Sequence, residues 1–569
     1  MNISSFIKNQ IQAAQNKILP DLVIKNVTFV NLFTDEMETA DVAIHNGNFV
    51  GIGQYSGQTE IDGTEYTMVP GLIDAHVHIE SSMLAPSQFQ KVVLPRGVTT
   101  VIADPHEIAN VLGVEGIEWM LNDSENCLLN TRYQLPSCVP STSFEDNGAT
   151  LMAQDLEQLY HHPLVLGLAE VMDYPAVLSG EEDMMNKLVS AIGHNVPIDG
   201  HGAGLKGKEI NAYLTAGITT DHECVHSDEM MERVRRGMYV MLREGSAARN
   251  LHELLKGYRK EISHRLLFCT DDKHIDDLLE EGTIDYHVRE CLKAGIDIYS
   301  VLRMASLNAA QCYHLKGKGA IAPGYDADFI LLKDVTSFDI ASVWVNGIQY
   351  KETSVKKQDY NMKNTVVLGN YSKDYLQMPL RTGKARVIEV IPNSIVTKAS
   401  IHEVTLENGF FKSNSTSDLV KLAVIERHQG SGRVGLGIVK GFRLQLGAVA
   451  TTIAHDSHNI ICIGTNDEDM DKVIQELQLI GGGIAIAIDG KITASLSLPV
   501  AGLMTTESPQ QLNADYSELL KGLYKLGITD AFSPLLTLSF LALPVIPSLK
   551  LTNQGLFDVE TFTFVDVSI

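Results

Sequence analysis

Two histidines close an apolar run in GLIDAHVH, at positions 76 and 78. In a strand, residues i and i+2 point to the same face, so both imidazoles aim the same way from Cα atoms about 7 Å apart. Two parallel imidazoles at that spacing can share one metal ion. Similar polar tips end other short apolar runs: Asp104, His106 and Glu107 in VTTVIADPHE; Glu170 and Asp173 in LVLGLAEVMD; His201 in VPIDGHGAG; His222 and Glu223 in ITTDHECV; Asp271 and Asp272 in LLFCTDD. A lone strand histidine is commonly a hydrogen-bonded core residue. Six or more such groups gathered in one dry place would be costly, and a metal centre removes that cost.

The elements that must gather them are legible in the same stretch. From residue 72 to 271, eight short apolar runs alternate with longer amphipathic segments, the remaining runs being NTRYQLPSCVP and MYVMLREGSA. The intervening SQFQKVVLPRG, IANVLGVEGIEWMLNDS, GEEDMMNKLVSAIG, GKEINAYLTAG and SDEMMERVRRG suit helices. Strands alternating with helices imply βαβ units and a parallel sheet. Eight of them predict a (β/α)₈ barrel, whose active site lies at the C-terminal ends of its strands. An internal echo, RGVTTVIADPHE against AGITTDHECV, repeats helix end, glycine, strand and polar tip.

The flanks carry other patterns. Residues 1–19 read as a short helix, and DLVIKNVTFVN, ADVAIHNGNFVGIG and EYTMVPG as small antiparallel strands with a hairpin at HNGN. GAIAPGYDADFILLKD and SVWVNGIQY return to strand character and complete that small sheet. The expected class is therefore α/β: residues 1–70 supply a helix and part of a small β-sandwich, 71–320 the TIM-type barrel, 321–364 the rest of the sandwich, and 365–569 a C-terminal α/β domain. In that last domain SIVTKASIHEV, GRVGLGIVKGF, AVATTIAHDSHNIICIGTN and GGGIAIAIDGKI read as strands, and DEDMDKVIQELQLI and YSELLKGLYKLGI as helices.

Composition narrows the class. The 569 residues suit two to four domains, with 44% hydrophobic residues for the cores. Lys plus Arg number 45 against 70 Asp plus Glu, a net charge of −25. Such a surface repels phosphate backbones and anionic membranes, so neither nucleic acid nor membrane is an expected partner. Seven cysteines without a CxxC argue for a reducing compartment. The polar N-terminus has no signal-peptide core, and FSPLLTLSFLALPVIPSL is too short and too proline-broken to span a bilayer. A soluble, cytoplasmic protein is expected, assembled as a homo-oligomer, specifically a dimer.

PGLIDAHVH, His201, His222 and Asp271 together resemble the amidohydrolase superfamily of metal-dependent barrel hydrolases. HVHIESSM, ADPHEIANV, GLAEVMD, DGHGAGL, TTDHE and FCTDDKH resemble, within it, the adenine deaminase family, as do GLGIVKGF and IAHDSHNIICIGTN in the C-terminal part. The HxH motif alone is weak; the ordered combination covers essentially the whole chain. Relatives that open cyclic amides often use a carboxylated lysine on the fourth strand, where this chain has Glu170. That substitution weighs against the alternative of a cyclic-amide or N-acyl hydrolase. A non-catalytic scaffold is a further alternative, opposed by the complete ligand set.

The resemblance implies two divalent ions, manganese or iron foremost and zinc as a third choice. His76, His78, Glu170 and Asp271 would hold one; Glu170, His201 and His222 would hold the other. It further implies adenine as substrate, hypoxanthine and ammonia as products, and Asp271 as the base that accepts the proton of the attacking water. Glu223 is a candidate acid for a ring nitrogen, which requires the sixth strand to break after His222. Asp272 is a candidate contact to the purine edge, or else a cap for the helix that DDKHIDDLL begins. Asp104 and His106 share a face by parity and either line the pocket or back the ligands. Glu80, Ser81 and Ser82 follow the first strand as further pocket candidates, the serines being equally suited to helix capping. His455, Asp456 and His458 read first as a polar turn between strands, with a place on the active-site rim as the sharper alternative. The glycines at 481–483 suit a tight turn and not a phosphate cradle, for no P-loop lysine follows.

Overall fold

The computed structural model describes residues 3–352, 363–392, 394–529 and 532–569. Part of the expected 321–364 segment, residues 353–362, lies outside them. All eight expected parallel strands form: β1 (Leu72–Val77), β2 (Val98–Ala103), β3 (Asn130–Leu135), β4 (Val165–Val171), β5 (Ile198–Gly200), β6 (Thr220–Asp221), β7 (Tyr239–Arg243) and β8 (Leu266–Cys269). Every residue of β1 and of β2 is buried. Strands covered on both faces read as continuous apolar runs without alternation, which is how these stretches look in sequence.

β1 to β5 pair in chain order as one parallel sheet, and β6, β7 and β8 as a second. Backbone bonds join the two sheets at both edges. Thr219 N–H donates to the Ile198 carbonyl at 3.4 Å on one side. On the other, Asp271 N–H donates to the His76 carbonyl at 3.0 Å and His78 N–H to the Asp271 carbonyl at 3.3 Å. The curl is that of a TIM-type barrel. Helices Pro86–Val93, His106–Leu112, Val114–Ser124, Glu182–Gly193, Lys208–Thr215 and Ser227–Val234 lie between the strands, and their apolar faces join one core with the strands.

The internal echo has a structural basis. Gly97 and Gly217 both adopt positive φ, +87° and +94°, where the chain leaves a helix and enters β2 or β6. That backbone is open to glycine at little cost. At Gly97 a Cβ would also meet Ile330 Cδ1 at 2.6 Å, so the turn packs directly on the small sheet.

That sheet draws strands from both flanks, but it is mixed and not antiparallel throughout: Leu22–Asn31 runs parallel to Thr59–Asp62 and to Thr67–Pro70. Strand Leu22–Asn31 pairs antiparallel with Glu36–His45, and Thr67–Pro70 pairs antiparallel with Phe329–Asp334. The hairpin at Asn46 and Gly47 takes positive φ at both positions, the geometry a two-residue turn requires. The N-terminal helix runs Ile3–Ala14. In the C-terminal part an eight-stranded sheet carries the helix Asp467–Ile480, and helix Pro509–Lys525 follows. Two of its strands, Lys384–Val390 and Val420–Ile425, were absent from the sequence-based expectation. The apolar stretch after residue 531 breaks into the short helix Pro534–Phe540 and turns. Among the described residues no helix is long and apolar enough to cross a membrane.

A buried ion pair ties the small sheet to the parallel strands. Asp328 Oδ2 accepts from Lys318 Nζ at 2.6 Å and from Asn130 Nδ2, at the start of β3, at 3.1 Å. Its Oδ1 accepts from Asn346 N–H at 2.8 Å. Lys318→Met removes the cation and leaves the carboxylate buried. It is expected to cost about 3–5 kcal/mol, read as a lowered denaturant midpoint; an unchanged midpoint would contradict this account of the junction.

Candidate metal centre

The C-terminal strand ends converge on a cavity of about 1070 Å³. His76 and His78 leave β1 with their Nε2 atoms 3.2 Å apart. His222, just past β6, stacks on His76 with ring centroids 4.2 Å apart and planes 15° from parallel. Glu170 on β4 sits between the imidazoles. Its Oε1 lies 3.3 Å from His78 Nε2 and 3.8 Å from His76 Nε2. Its Oε2 lies 2.5 Å from His201 Nδ1 and 3.2 Å from His222 Nε2. Asp271, following β8 at a positive φ of 58°, brings Oδ1 to 3.1 Å from His78 Nε2 and 3.8 Å from His76 Nε2. All six proposed ligand residues are thus in one cluster, and only His201 is appreciably exposed.

The donor set fits a pair of divalent cations. Each group of imidazole nitrogens and carboxylate oxygens, such as Glu170 with His201 and His222, or His76 with His222 and Asp271, lies within 4.8 Å atom to atom. Imidazole mixed with carboxylate suits zinc, iron or manganese. Packing such groups against one another away from water is otherwise expensive. Burial pushes the Glu170 carboxyl up, but His201 and His222 outweigh it and hold the group well below the usual carboxylate range. Burial opposes charge on His201 as well, yet Glu223 and Glu170 raise it to about 9. The cluster is thus poised around the charges of its own members.

Supporting contacts fix the ligands. Asp199 on β5 is gripped by Tyr313 Oη at 2.8 and 2.9 Å and by Thr220 Oγ1 at 2.7 Å. Its Oδ2 sits 3.9 Å from His76 Nδ1, an atom otherwise without a hydrogen-bond partner. Ser137 Oγ donates to the Glu170 carbonyl at 2.5 Å, and Lys187 Nζ to the Ser137 carbonyl at 2.9 Å.

Arg243, at the end of β7, is the functional residue that sequence reasoning missed. Its Nη1 bonds Asp271 Oδ2 at 2.7 Å and also contacts Glu223 Oε1 closely. Asp271 therefore commits one oxygen to the guanidinium and turns the other to the histidines. Burial would raise the Asp271 carboxyl; Arg243 and His78 overcome this and hold it well below its ordinary range. The available signal was positional: LREG is a polar tip on a barrel strand, like the six already chosen.

The other candidates divide. β6 stops at Asp221, so the chain does break before His222 and Glu223. Glu223 Oε1 lies 3.6 Å from His222 Nε2 and 4.0 Å from His201 Nδ1, and lines the cavity. Asp272 lines it too and accepts a 2.5 Å bond from Ser81 Oγ. It caps nothing: helix Ile275–Glu280 starts after His274 with no side-chain cap. His106 faces the cavity with Nδ1 3.2 Å from Asp104 Oδ2, but β2 ends at Ala103 and His106 opens the next helix, so the two meet across a turn and not through the strand parity expected of them. Asp104, Glu80 and Ser81 do not line this cavity, though Ser81 borders a small neighbouring one with Asp272 and His455. Asp104 backs His106, Glu80 Oε1 accepts from Ile108 N–H at 3.2 Å, and Ser81 orients Asp272. Neither serine caps helix Pro86–Val93, which starts at Ala85 without a side-chain cap; Ser82 Oγ donates to the Ile79 carbonyl instead. Asp173 caps helix Tyr174–Ser179 through Ala176 N–H at 3.0 Å.

His455, Asp456 and His458 are not a solvated turn. All are buried, and His455 and Asp456 line the same cavity. His455 Nδ1 and His458 Nε2 lie 3.0 and 2.9 Å from the two oxygens of Glu107. Buried carboxylate and imidazole across the interface compensate one another, which a solvated turn does not need. The glycines at 481–483 do form a turn, between helix Asp467–Ile480 and strand Gly483–Ile488.

Residues 67–370 match the Amidohydrolase family, in keeping with parallel strands whose ends present this ligand set. Residues 394–563 match the adenine deaminase C-terminal domain. The adenine deaminase of Bacillus licheniformis is 47% identical over 573 residues, covering 100% of each chain. That of Geobacillus kaustophilus is 48% identical and covers 99% of each. Among solved structures, a β-aspartyl dipeptidase from Fervidobacterium islandicum AW-1 aligns with 60% of this chain and 98% of its own at 19% identity and a TM-score of 0.45. The chain belongs to the adenine deaminase family of amidohydrolases.

Glu170→Ala takes a donor from both halves of the cluster. Elemental analysis of the purified variant is expected to find less than half the divalent metal per chain that the parent protein carries. Equal metal content in both would remove Glu170 from the centre.

Proposed function

We propose that this protein hydrolyses adenine to hypoxanthine and ammonia at a binuclear centre. The observation that carries the reading is Glu170: its Oε1 faces His76, His78 and His106 and its Oε2 faces His201 and His222, so one carboxylate could serve two cations. His76, His78, Glu170 and Asp271 would hold one ion, and Glu170, His201 and His222 the other. Manganese or iron is the favoured occupant and zinc the next. Divalent ions there supply, when bound, Lewis acidity and a water of lowered pKa.

The chain's own groups do the rest. Water adds to C6, N1 gains a proton, the C6–N6 bond breaks, and ammonia departs with the second proton. Asp271 accepts the proton of the attacking water on Oδ1, while Arg243 anchors Oδ2. Glu223 passes a proton to the ring. Burial raises its carboxyl, but Arg243 outweighs burial and keeps it below the usual range. It is therefore a proton acceptor first and a donor only after it has been loaded, as a relay must be. Asp272 contacts the purine edge, and His106 lines the pocket with Asp104 behind it. Glu80 and Ser81 support these groups from outside the cavity.

The same reading takes β1–β8 as one closed (β/α)₈ barrel at 71–320, flanked by the sandwich at 1–70 and 321–364 and followed by the α/β domain at 365–569. The edge bonds between β5 and β6 and between β8 and β1 support closure. Seven free cysteines and a charge of −25 favour a cytoplasmic enzyme of purine salvage that binds no nucleic acid. Met185, Val189 and Ile192, exposed along one helix face, favour a homodimer.

Ammonia release from adenine, adenosine and cytosine tests the substrate, with metal analysis on the same sample. Adenine alone is expected to react, with activity lost on chelation and restored by Mn(II). Turnover of adenosine without adenine would overturn the assignment.

A further inference from the structure

The cavity has one wall that the parallel strands do not supply. His455 lies between the strands Ala448–Thr451 and Ile460–Gly464 of the C-terminal sheet and is 6% exposed. Its Nδ1 lies 3.0 Å from Oε1 of Glu107, a residue of the first turn of helix His106–Leu112. The other oxygen of Glu107 faces His458 Nε2 at 2.9 Å. His458 Nδ1 accepts from Ala454 N–H at 3.2 Å, so that ring carries its proton on Nε2. Phe540 stacks on the His455 ring, centroids 4.5 Å apart and planes 27° from parallel.

These contacts fix the imidazole in plane and in direction. Nδ1 is committed to Glu107. Nε2 has no protein partner among the described residues, in a side chain that lines the cavity together with Asp272, His78 and Asp271. We infer that His455 is a substrate-contacting residue: its Nε2–H donates to one ring nitrogen of the bound purine, so that the C-terminal domain completes a site the parallel strands begin. This rests on the proposed reading of adenine as substrate and deepens it.

The electrostatics agree. Burial disfavours charge on His455, but Glu107 and then Asp272 overcome it and raise the group to about 9. A charged N–H is a strong donor toward a neutral ring nitrogen. Asp272, oriented by Ser81, offers an acceptor beside it. The wall thus presents a donor and an acceptor, the complement of a heterocycle edge that carries both a lone pair and an N–H.

The contact is tested by His455→Ala in the full chain at confirmed full metal loading. Two readouts are taken: kcat/KM on adenine, and calorimetric binding of hypoxanthine, 3-deazahypoxanthine and 7-deazahypoxanthine, none of which is turned over. Expected is a fall of about 10- to 100-fold for adenine and hypoxanthine, the range of a hydrogen bond to a charged group. For one of the two deaza compounds the same substitution should cost less than about 3-fold, because the partner atom is already gone. His455→Gln, which keeps a donor, should recover part of the loss. An unchanged kcat/KM, or an equal loss across all three ligands, overturns the contact and leaves His455 a packing residue. A parent protein that binds hypoxanthine but releases no ammonia from adenine fails the functional reading instead, and the binding series still decides the contact.

Discussion

A single buried carboxylate governs the arrangement of this protein. Glu170 is 3% exposed and turns one oxygen to the histidines of β1 and the other to those beyond β5 and β6. Five imidazoles around one carboxylate, those of His76, His78, His106, His201 and His222, cannot be left to water or to apolar packing. The strands must therefore end in register, and the residues behind them must hold the rings in place. Tyr313, Thr220 and Asp199 do so under His76, and Ser137 with Lys187 does so behind Glu170 itself. These buried bonds fix the orientation of the rings and of the carboxylate they support.

The charge balance around that centre is set by Arg243. One guanidinium holds Glu223 and Asp271 together as anions on the same side of the cavity. Without it, two carboxylates that close would share a proton, because like charges at short range disfavour joint ionisation. With it, both remain available to take protons from water and to return them to substrate. The residue does not reach substrate in this scheme; it decides the state in which its two neighbours meet it.

The interface between the parallel-strand unit and the C-terminal domain is chemical as well as steric. Asp146 on the loop after β3 receives Arg433 at 2.7 Å and Asn553 at 2.6 Å, and Asn459 donates to its carbonyl at 2.7 Å. Ser457 meets Glu145 at 3.2 Å in the same region. These contacts press the segment carrying His455 against Glu107. A domain docked only by apolar surface could slide; one docked through directional bonds presents its side chains at fixed positions.

Much of this was legible in the chain. Strand and helix alternation follows from local periodicity, so all eight parallel strands and helix Asp467–Ile480 appeared where the pattern put them, whereas helix Pro509–Lys525 starts seven residues before the segment YSELLKGLYKLGI that announced it. The ligands were legible because a parallel barrel places strand-end residues together regardless of their separation in sequence, which made His76, His78, Glu170, His201, His222 and Asp271 one set. Strand Val420–Ile425 was missed because a six-residue apolar run bearing a lysine has no telling period. Asp104, Glu80 and Ser81 looked like pocket residues but stand behind the pocket, since a loop's direction after the last strand bond is not encoded in alternation. What the sequence by itself determined was which residue types end which strands. Only the tertiary structure decided that Arg243 neutralises Glu223 and Asp271, and that Glu107 reaches across to His455 and His458. Those pairings join residues tens to hundreds of positions apart, and distance in space, not spacing along the chain, sets whether one charge is felt by another.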